Sequence, residues 1–272
     1  MKKQRLPNKF KIILLLIVTL TYGNIAIAEE EDQESLFDQF TPIEINGFVE
    51  ARAGARLQDD TEEKDTSVME SRLQVELSTY SDWVEIKYKG DAWLDGVVDN
   101  AKYDTREAWF FSRPTEFVDI KIGRQVLTWG TGDLVFLNDM FPKDWQSYFI
   151  GRDQEYLKAP SDAAKLSLFS DVANLDIIYT PRFNSDRYIT GEYISYWDSR
   201  QGQIVGSDHT VIALTPDKWF EDDEKAIRIY KNINNYELAL YGYWGFWKRP
   251  GGQTQSGKAI FPELNVYGAS VR

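Results

Sequence analysis

The chain has 272 residues, with 31 basic and 43 acidic side chains and no cysteine. Five of the basic residues and none of the acidic residues lie in the first 28 positions, so the remainder carries a formal charge of −17. This acidity argues against a duplex nucleic-acid partner, and the lack of cysteine excludes disulfides and thiol chemistry within this sequence.

The first 28 residues have the pattern of a secretory signal peptide. Five basic side chains precede the apolar run Ile12–Leu20, and the segment ends on the small residues Ala26-Ile27-Ala28. The apolar run is far shorter than the roughly 18 to 20 residues of a membrane-spanning helix, which disfavours a retained anchor. We therefore expect export, cleavage between Ala28 and Glu29, and a periplasmic N-terminal segment over residues 29–43.

From residue 45 onward, apolar and polar side chains alternate. The run from Ile45 to Leu57 places small or apolar residues on one parity and mostly polar residues on the other, and the pattern recurs over 73–78 and 84–94. At about 3.3 Å per residue, the longest run is long enough to cross a bilayer when tilted. A period of two dominates, which predicts strands and not helices.

Ten segments of this kind follow one another, and their connections alternate in length. Short connections are predicted at Ser81, Pro114, Val172-Ala173 and Ile233-Asn235, and long ones over 58–66, 95–101, 128–161, 182–224 and 249–260. Short turns on one side and long loops on the other are typical of an outer-membrane barrel. The segments are 44–57, 67–80, 82–94, 102–113, 115–127, 162–171, 174–181, 225–232, 236–248 and 261–272.

The fold class predicted from these segments is all-β, an antiparallel up-and-down transmembrane β-barrel over residues 44–272. His209–Leu214 also resembles a strand, but counting it as membrane-spanning would put the short Ile233-Asn235 turn on the long-loop side. We therefore assign it to a structured external loop. The last alternating run ends at Val271-Arg272 without a terminal aromatic residue. Ten strands could close, but we expect the N-terminal part of a larger barrel.

Charged residues of the polar parity are the candidates for lining a lumen. These residues include both positive and negative charges, so they do not indicate a particular substrate. Opposed charges would set up a transverse field that selects solutes by size and polarity, whereas the alternative is that they pair and fill a narrow lumen. The candidates are Glu50, Arg52, Arg56, Arg72, Glu76, Glu85, Lys87, Lys89, Asp91, Asp119, Lys121 and Arg124.

Two places do not fit a simple alternation. In segment 102–113, either parity leaves Arg106 or Glu107 facing lipid, so the sequence does not orient this segment. Arg124 shares the parity of Ile120 and Ile122, and a bulge at Gly123 could turn it inward.

Aromatic and acidic residues mostly fit the ends of the strands and the loops. The aromatic residues are expected to form an interfacial girdle. The alternative, a sugar-stacking path along a lumen, would need aromatic residues on the lumen parity. Three residues satisfy that condition, namely Tyr241, Tyr243 and Trp247. The acidic runs 29–32, 59–63 and 221–224 are expected to be solvated. Cation bridges from the loops to lipopolysaccharide are the alternative.

A family resemblance rests on the stretch from Gly123 to Asp162. Gly123-Arg124-Gln125 ends a predicted strand, Trp129-Gly130 follows, and the next loop carries Asn138-Asp139, Pro142 and Lys158-Ala159-Pro160. This stretch resembles the Gram-negative outer-membrane porins of the alginate-export-like and related uncharacterised families. The resemblance implies that the loop after the fifth strand folds inward and narrows a pore, with Arg124 and neighbouring charges at its mouth.

The expected function is an outer-membrane channel or porin for small polar or charged solutes. Its expected partners are outer-membrane lipid, lipopolysaccharide and the outer-membrane assembly machinery. The alternative is a non-transporting barrel that serves as an adhesin, a lipopolysaccharide-binding protein or an envelope-complex component. A soluble periplasmic carbohydrate-binding β-sandwich is disfavoured by the strand lengths and by the asymmetry of the connections.

Catalysis and metal binding are not expected. The only histidine, His209, lies in a predicted loop, and the chain has no cysteine. A catalytic site needs a positioned acid or base near its nucleophile, and transition-metal sites are built mainly from histidine and cysteine. We therefore expect no enzymatic activity, no metal site and no cofactor.

Overall fold

The computed structural model describes residues 40–129 and 138–272. The predicted signal peptide, its cleavage site and Gly130 lie outside these residues. The described part is all-β, with a short α-helix, α1 (Trp145–Phe149), and a 3-10 helix (Gln154–Leu157). Its strands are β1 (Glu44–Ala55), β2 (Thr66–Tyr80), β3 (Val84–Asp95), β4 (Asn100–Thr115), β5 (Val118–Val126), β6 (Pro160–Leu168), β7 (Asn174–Thr180), β8 (Tyr196–Asp198), β9 (Gln203–Val205), β10 (Ala213–Leu214), β11 (Glu224–Ile233), β12 (Tyr236–Phe246), β13 (Gly252–Gln253), β14 (Ala259–Ile260) and β15 (Glu263–Val271).

Ten of these strands form one antiparallel sheet in the order β1-β2-β3-β4-β5-β6-β7-β11-β12-β15. They coincide within a few residues with the ten predicted segments, so the prediction of ten antiparallel strands is confirmed. β1 and β15 are the edge strands, since no ladder joins them in the described part of the chain. None of the helices among the described residues is both long enough and apolar enough to cross a membrane.

The connections alternate in length much as predicted. The turn expected at Pro114 lies two residues later, because β4 runs to Thr115 and β5 begins at Val118. Pro114 stands in an irregular register step between Ser112 and Thr115. A proline is tolerated there because it has no N–H to contribute to a regular ladder.

Residues 209–214 do not join the large sheet. β10 pairs instead with β14 in a small three-stranded sheet that also contains β13. All three strands lie in long connections, as does the β8–β9 hairpin. The assignment of His209–Leu214 to a structured loop therefore agrees with this arrangement.

The two faces of the large sheet have inverted polarity. Along β2, the buried row contains Glu70, Arg72 and Gln74, whereas the alternate row is less buried and apolar at Met69, Leu73, Val75 and Leu77. Leu240 on β12 is 60% exposed, while the Arg72 side chain is 4% exposed. We call these faces the apolar face and the polar face. Exposed residues of the apolar face include Ile45, Val49, Met69, Ile86, Leu94, Phe110, Ile122, Ile177, Ile229, Leu238 and Leu240.

A bulge in β4 resolves the orientation that the sequence left open. Lys89 pairs with Glu107 and the next residue, Gly90, pairs with Thr105, so Arg106 is the extra residue. A bulge shifts the alternation by one position. Asp104 and Glu107, which have opposite parity in the sequence, consequently both occupy the row of the polar face. Arg106 itself is buried against the chain between residues 155 and 158.

Two long connections cover the polar face. The segment before β6 reaches β2 and β4, and the segment before β11 reaches β3 and β4. Their contacts join residues more than 45 positions apart, so the cover is tertiary structure and not a local turn. The polar face is therefore covered toward the long connections, while the apolar face stays open.

Replacing Gly123 by alanine tests the close approach of β4 and β5. Gly123 has a φ of +125°, and an added Cβ would lie 2.3 Å from Ala108 O. Gly123→Ala should lower the free energy of unfolding by about 3 kcal/mol, through both strain and the backbone clash. The measurement is denaturant unfolding followed by tryptophan fluorescence.

Gly151→Ala is the matched control. Gly151 also has a positive φ, +82°, but no atom lies within 4 Å of its added Cβ. Its replacement should cost about 1 kcal/mol from backbone strain alone. Equal losses in the two variants would contradict the account of the clash.

Candidate functional site

Most of the predicted lumen residues share the polar face. Cross-strand pairing places side chains of one row on one face, and ten of the twelve candidates belong to such rows. Arg56 instead lies just beyond β1, where its guanidinium donates to Tyr193 O at 2.5 Å and to Lys64 O at 3.0 Å. The ten on the polar face are Glu50, Arg52, Arg72, Glu76, Glu85, Lys87, Lys89, Asp91, Asp119 and Lys121.

Arg124 reaches the bulge of β4 from the opposite row. Its Nε donates to Thr105 O at 2.5 Å, and its other nitrogens lie 3.3 Å from Asp162 Oδ1 and 3.7 Å from Asp104 Oδ1. The bulge expected at Gly123 was wrong, because the ladders run through Gly123 without a register step. The extra residue lies in the neighbouring strand, at Arg106.

Buried charged and polar side chains of β2 and β3, together with one arginine of a connection, form the Arg72 cluster, which consists of Glu70, Arg72, Gln74, Asp91 and Arg152. Arg72 donates to Asp91 Oδ2 at 2.9 Å and to Glu70 Oε2 at 3.0 Å. Gln74 donates to Asp91 Oδ1 at 2.9 Å, and Arg152 donates to Glu70 Oε1 at 3.0 Å. Every charge in the cluster has an opposite partner, as buried charges require. Because Arg152 belongs to a connection, the cluster fastens that connection to β2.

Two aromatic rings enclose the Arg72 guanidinium. Its carbon lies 4.3 Å from the ring centre of Trp93 and 4.7 Å from that of Tyr156. Rings at this distance attract a cation through their negative faces. Burial raises the pKa of the Tyr156 hydroxyl, which keeps it protonated at neutral pH. This hydroxyl accepts a hydrogen bond from Gln74 Nε2 at 3.3 Å.

Arg106 forms a second link between the sheet and the same connection. Its Nη2 donates to Glu155 O at 2.9 Å and to Lys158 O at 3.1 Å. Its Nη1 is buried and has no hydrogen-bond partner among the described residues. The bulge thus places the Arg106 guanidinium at the end of the 3-10 helix, where it contacts one carbonyl within the helix and one just after it.

A third link joins the two long connections to each other. Asp186 accepts hydrogen bonds from Lys143 N at 2.7 Å and from Trp145 Nε1 at 2.8 Å. Burial raises the pKa of Asp186, although these two donors oppose the shift. Burial also lowers the pKa of the Lys143 ammonium, against the attraction of Asp139, which lies 3.1 Å away.

Arg187 links the two long connections to β4. It lies 2.6 Å from Asp104 Oδ2 and 3.2 Å from Asp144 Oδ2. Asp104 is therefore approached by Arg187 from a connection and by Arg124 from β5. The second connection thus supplies the nearer of the two cations that pair with Asp104.

The polar face is more open toward the short turns. The Glu76 and Lys87 side chains are 24% and 22% exposed, and they pair at 2.9 Å. Lys121 lies on the same face, 3.8 Å above the Trp109 ring. Mixed charges thus border partly open space at this end, whereas the Arg72 cluster is closed over.

Part of the polar face near β12 is filled by apolar side chains. Phe141 of a connection packs with Ile178, Tyr241 and Tyr243 on the sheet in one buried cluster. Trp129 stacks edge-on against Phe141, with ring centres 5.0 Å apart. Tyr241 and Tyr243 therefore pack in a core, which argues against an open sugar-stacking path at these two residues.

Sequence reasoning missed four residues that fasten the cover. Glu70 and Gln74 stand on the polar parity of β2, so the alternation contained a signal for them. Arg152 and Tyr156 lie in a connection without periodicity, and nothing in the sequence relates them to β2. Only the tertiary structure brings these four side chains together.

The single histidine lies on the surface of a connection. His209 Nδ1 is 2.9 Å from Asp208 Oδ2, and both side chains are at least half exposed. Over residues 40–129 and 138–272, no group of three or more histidine, aspartate and glutamate side chains is placed to hold a metal ion.

No family model matches the chain, and no curated protein matches it either. Its function must therefore be argued from the geometry of the polar face and from the exposed apolar face.

Replacing Arg72 tests whether the Arg72 cluster stabilises the fold. Arg72→Met leaves Asp91 buried with no cation in contact, and breaking such a pair costs about 3 to 5 kcal/mol of unfolding free energy. Adding Asp91→Leu to this variant should recover part of the loss, since the uncompensated carboxylate is then gone. Denaturant unfolding measures both effects.

Arg113→Met is the control for a pair in solvent. Arg113 contacts Asp119 at 2.6 Å, but its side chain is more than half exposed. Its loss should cost no more than about 1 kcal/mol. An Arg72→Met variant as stable as Arg113→Met would show that the cluster does not support the fold.

Proposed function

We propose that the ten-stranded sheet is the wall of a transmembrane β-barrel in an outer membrane, and that the protein is a channel for small polar or charged solutes. The observation that carries the proposal is the inverted polarity of the sheet. Apolar side chains stand on the open face, and charged side chains stand on the enclosed face.

The two faces of the sheet suit different solvents. A sheet in a water-soluble protein buries its apolar face against a core and exposes its polar face. The opposite arrangement is stable where the surroundings are hydrocarbon and the interior is aqueous, as in an outer-membrane barrel. Exposed residues such as Ile45, Ile122 and Leu240 would then contact lipid.

A barrel also requires closed edges. Unpaired backbone groups on an edge strand are costly in lipid, so β1 and β15 must pair with each other or with further strands. Exposed and less exposed positions alternate along β15, where Tyr267, Ala269 and Val271 follow Glu263 and Asn265 in the exposed row, and exposed apolar residues continue along β1. Both strands thus keep the lipid-compatible pattern, and a barrel larger than ten strands remains part of the proposal.

The route for solutes would follow the polar face. Mixed charges at the partly open end, including Glu76 and Lys87, suit small polar or charged solutes. The Arg72 cluster and the connection that carries Arg152 and Tyr156 would form the constriction. This arrangement agrees with the inward-folded loop that the porin resemblance implies.

A non-transporting barrel is the second candidate. It is favoured by the paired charges of the Arg72 cluster and by the apolar cluster around Phe141, which fill the polar face toward the long connections. In that case the connections would serve adhesion, lipopolysaccharide binding or assembly of an envelope complex. Export by the N-terminal signal and insertion by the outer-membrane assembly machinery belong to both candidates.

An arginine on the apolar face tests the membrane environment. Leu240→Arg should lower the unfolding free energy in lipid vesicles by about 2 to 4 kcal/mol if residue 240 faces the bilayer midplane. Leu214→Arg is the control, because Leu214 is 47% exposed on β10 in a long connection. It should change stability by no more than about 0.5 kcal/mol. Two equally tolerated arginines would rule out the lipid-facing sheet.

Ion conductance in a planar bilayer tests the channel. The purified protein should give stable open steps, and Arg152→Ala should widen or prolong them, because it frees the connection from Glu70. Arg113→Ala, at the opposite end of the sheet, should leave the steps unchanged. A heat-modifiable barrel without conductance in any variant would exclude the channel and favour the non-transporting barrel.

A further inference from the structure

Outside the ten-stranded sheet, the long connections line an open pocket of about 700 Å³. Its walls come from α1, from residues 188–189 and 211, and from the β13–β14 hairpin with its approach. This volume lies in the usual range of about 300 to 1,000 Å³ for small-molecule sites. The residues used below are Trp145, Phe149, Tyr188, Arg249 and Gln253.

The walls are held by contacts outside the pocket. Trp145 Nε1 donates to Asp186 at 2.8 Å, which fixes the indole. The Tyr188 ring packs on Phe261 with centres 6.0 Å apart, and Tyr188 O accepts from Gln146 Nε2 at 2.9 Å. The ring surfaces are thus positioned before any ligand arrives, which lowers the entropy cost of binding.

The lining is mainly aromatic and aliphatic. Trp145, Phe149 and Tyr188 supply ring surfaces, and Phe149 is 62% exposed. An exposed phenylalanine beside a tryptophan offers apolar area that a flat ring system would cover. The ligand should therefore contain an apolar ring.

One cation stands at this lining without a carboxylate. The Arg249 guanidinium lies 5.7 Å from the centre of the Trp145 ring, and within residues 40–129 and 138–272 it has no ion pair. The Tyr188 hydroxyl likewise makes no hydrogen bond in that part of the chain, and burial raises its pKa, so it remains a donor at neutral pH. Two donors and no carboxylate favour an anion.

A sugar fits this lining poorly. Gln253 is the only side-chain amide of the pocket, and no aspartate, glutamate or asparagine contributes to it. A sugar would find few side-chain partners for its hydroxyl groups in this lining, and each hydroxyl that loses water without gaining a partner weakens binding.

We propose that this pocket binds small organic anions that carry a flat apolar ring system, with Arg249 and the Tyr188 hydroxyl contacting the anionic group. The inference goes beyond the proposed channel. If the sheet is a barrel, the pocket lies among the long loops and would collect such anions at the pore entrance.

The test is calorimetric titration of the detergent-purified protein with 2-naphthoate and with the neutral 2-naphthol. We expect one saturable site for 2-naphthoate and about tenfold weaker binding of 2-naphthol. Arg249→Gln should weaken 2-naphthoate binding about tenfold and leave 2-naphthol unchanged. Phe149→Ala should weaken the binding of both ligands.

Arg182→Gln is the matched control. Arg182 lies 5.0 Å from the centre of the Trp219 ring, so it forms the same kind of cation–ring pair outside the pocket. It should bind both ligands like the parent. Non-saturable uptake that is equal in all variants would overturn the proposal, as would tighter binding of glucuronate than of 2-naphthoate.

The outcome is separable from that of the channel experiment. Naphthoate binding without conductance would reject only the channel. Conductance with no binding of naphthoate would reject only the pocket assignment.

Discussion

The structure depends on the pairing of ten antiparallel strands with a side-chain period of two. Because each ladder fixes its neighbour's register, a single choice of face for β2 determines the face of every paired residue in the ten-stranded sheet. In this protein, charged side chains lie on the polar face and apolar side chains lie on the apolar face. The placement of the covering connections and the exposure of Leu240 both follow from that choice.

Charge inside the fold is tolerated because it is matched across sequence-distant elements. Asp91 and Glu70 on the sheet are met by Arg72 and by Arg152, and Asp104 is met by Arg187. Removing such groups from water is costly unless each has a well-placed partner. If the connections moved away from the sheet, Glu70 would lose Arg152 and Asp104 would lose Arg187. Ionic contacts thus determine the position of the cover, while an apolar cluster around Phe141 anchors its other part.

The sequence predicted the strands well because a period of two recurs over runs of seven or more residues. Ten of the twelve lumen candidates stand on the polar face for the same reason. The orientation of segment 102–113 was not predictable, since one extra residue at Arg106 reverses the parity without any change in composition. The contacts of Arg152 and Tyr156 could not be predicted either, because their partners lie about eighty positions away and no local pattern in the sequence indicates such a contact.

The order of the strands has a kinetic consequence. From β1 to β5 each strand pairs with its successor in the chain across a connection of ten residues or fewer, so this part of the sheet can grow hairpin by hairpin through short loop closures. The bonds from Arg152 to Glu70 and from Tyr193 to Asp95 close loops of 82 and 98 residues. Such remote contacts form slowly, and they need both strands already in register. Seating the cover therefore depends on paired β2 and β3, and without it the carboxylates of Glu70 and Asp95 lack their hydrogen bonds from Arg152 and Tyr193.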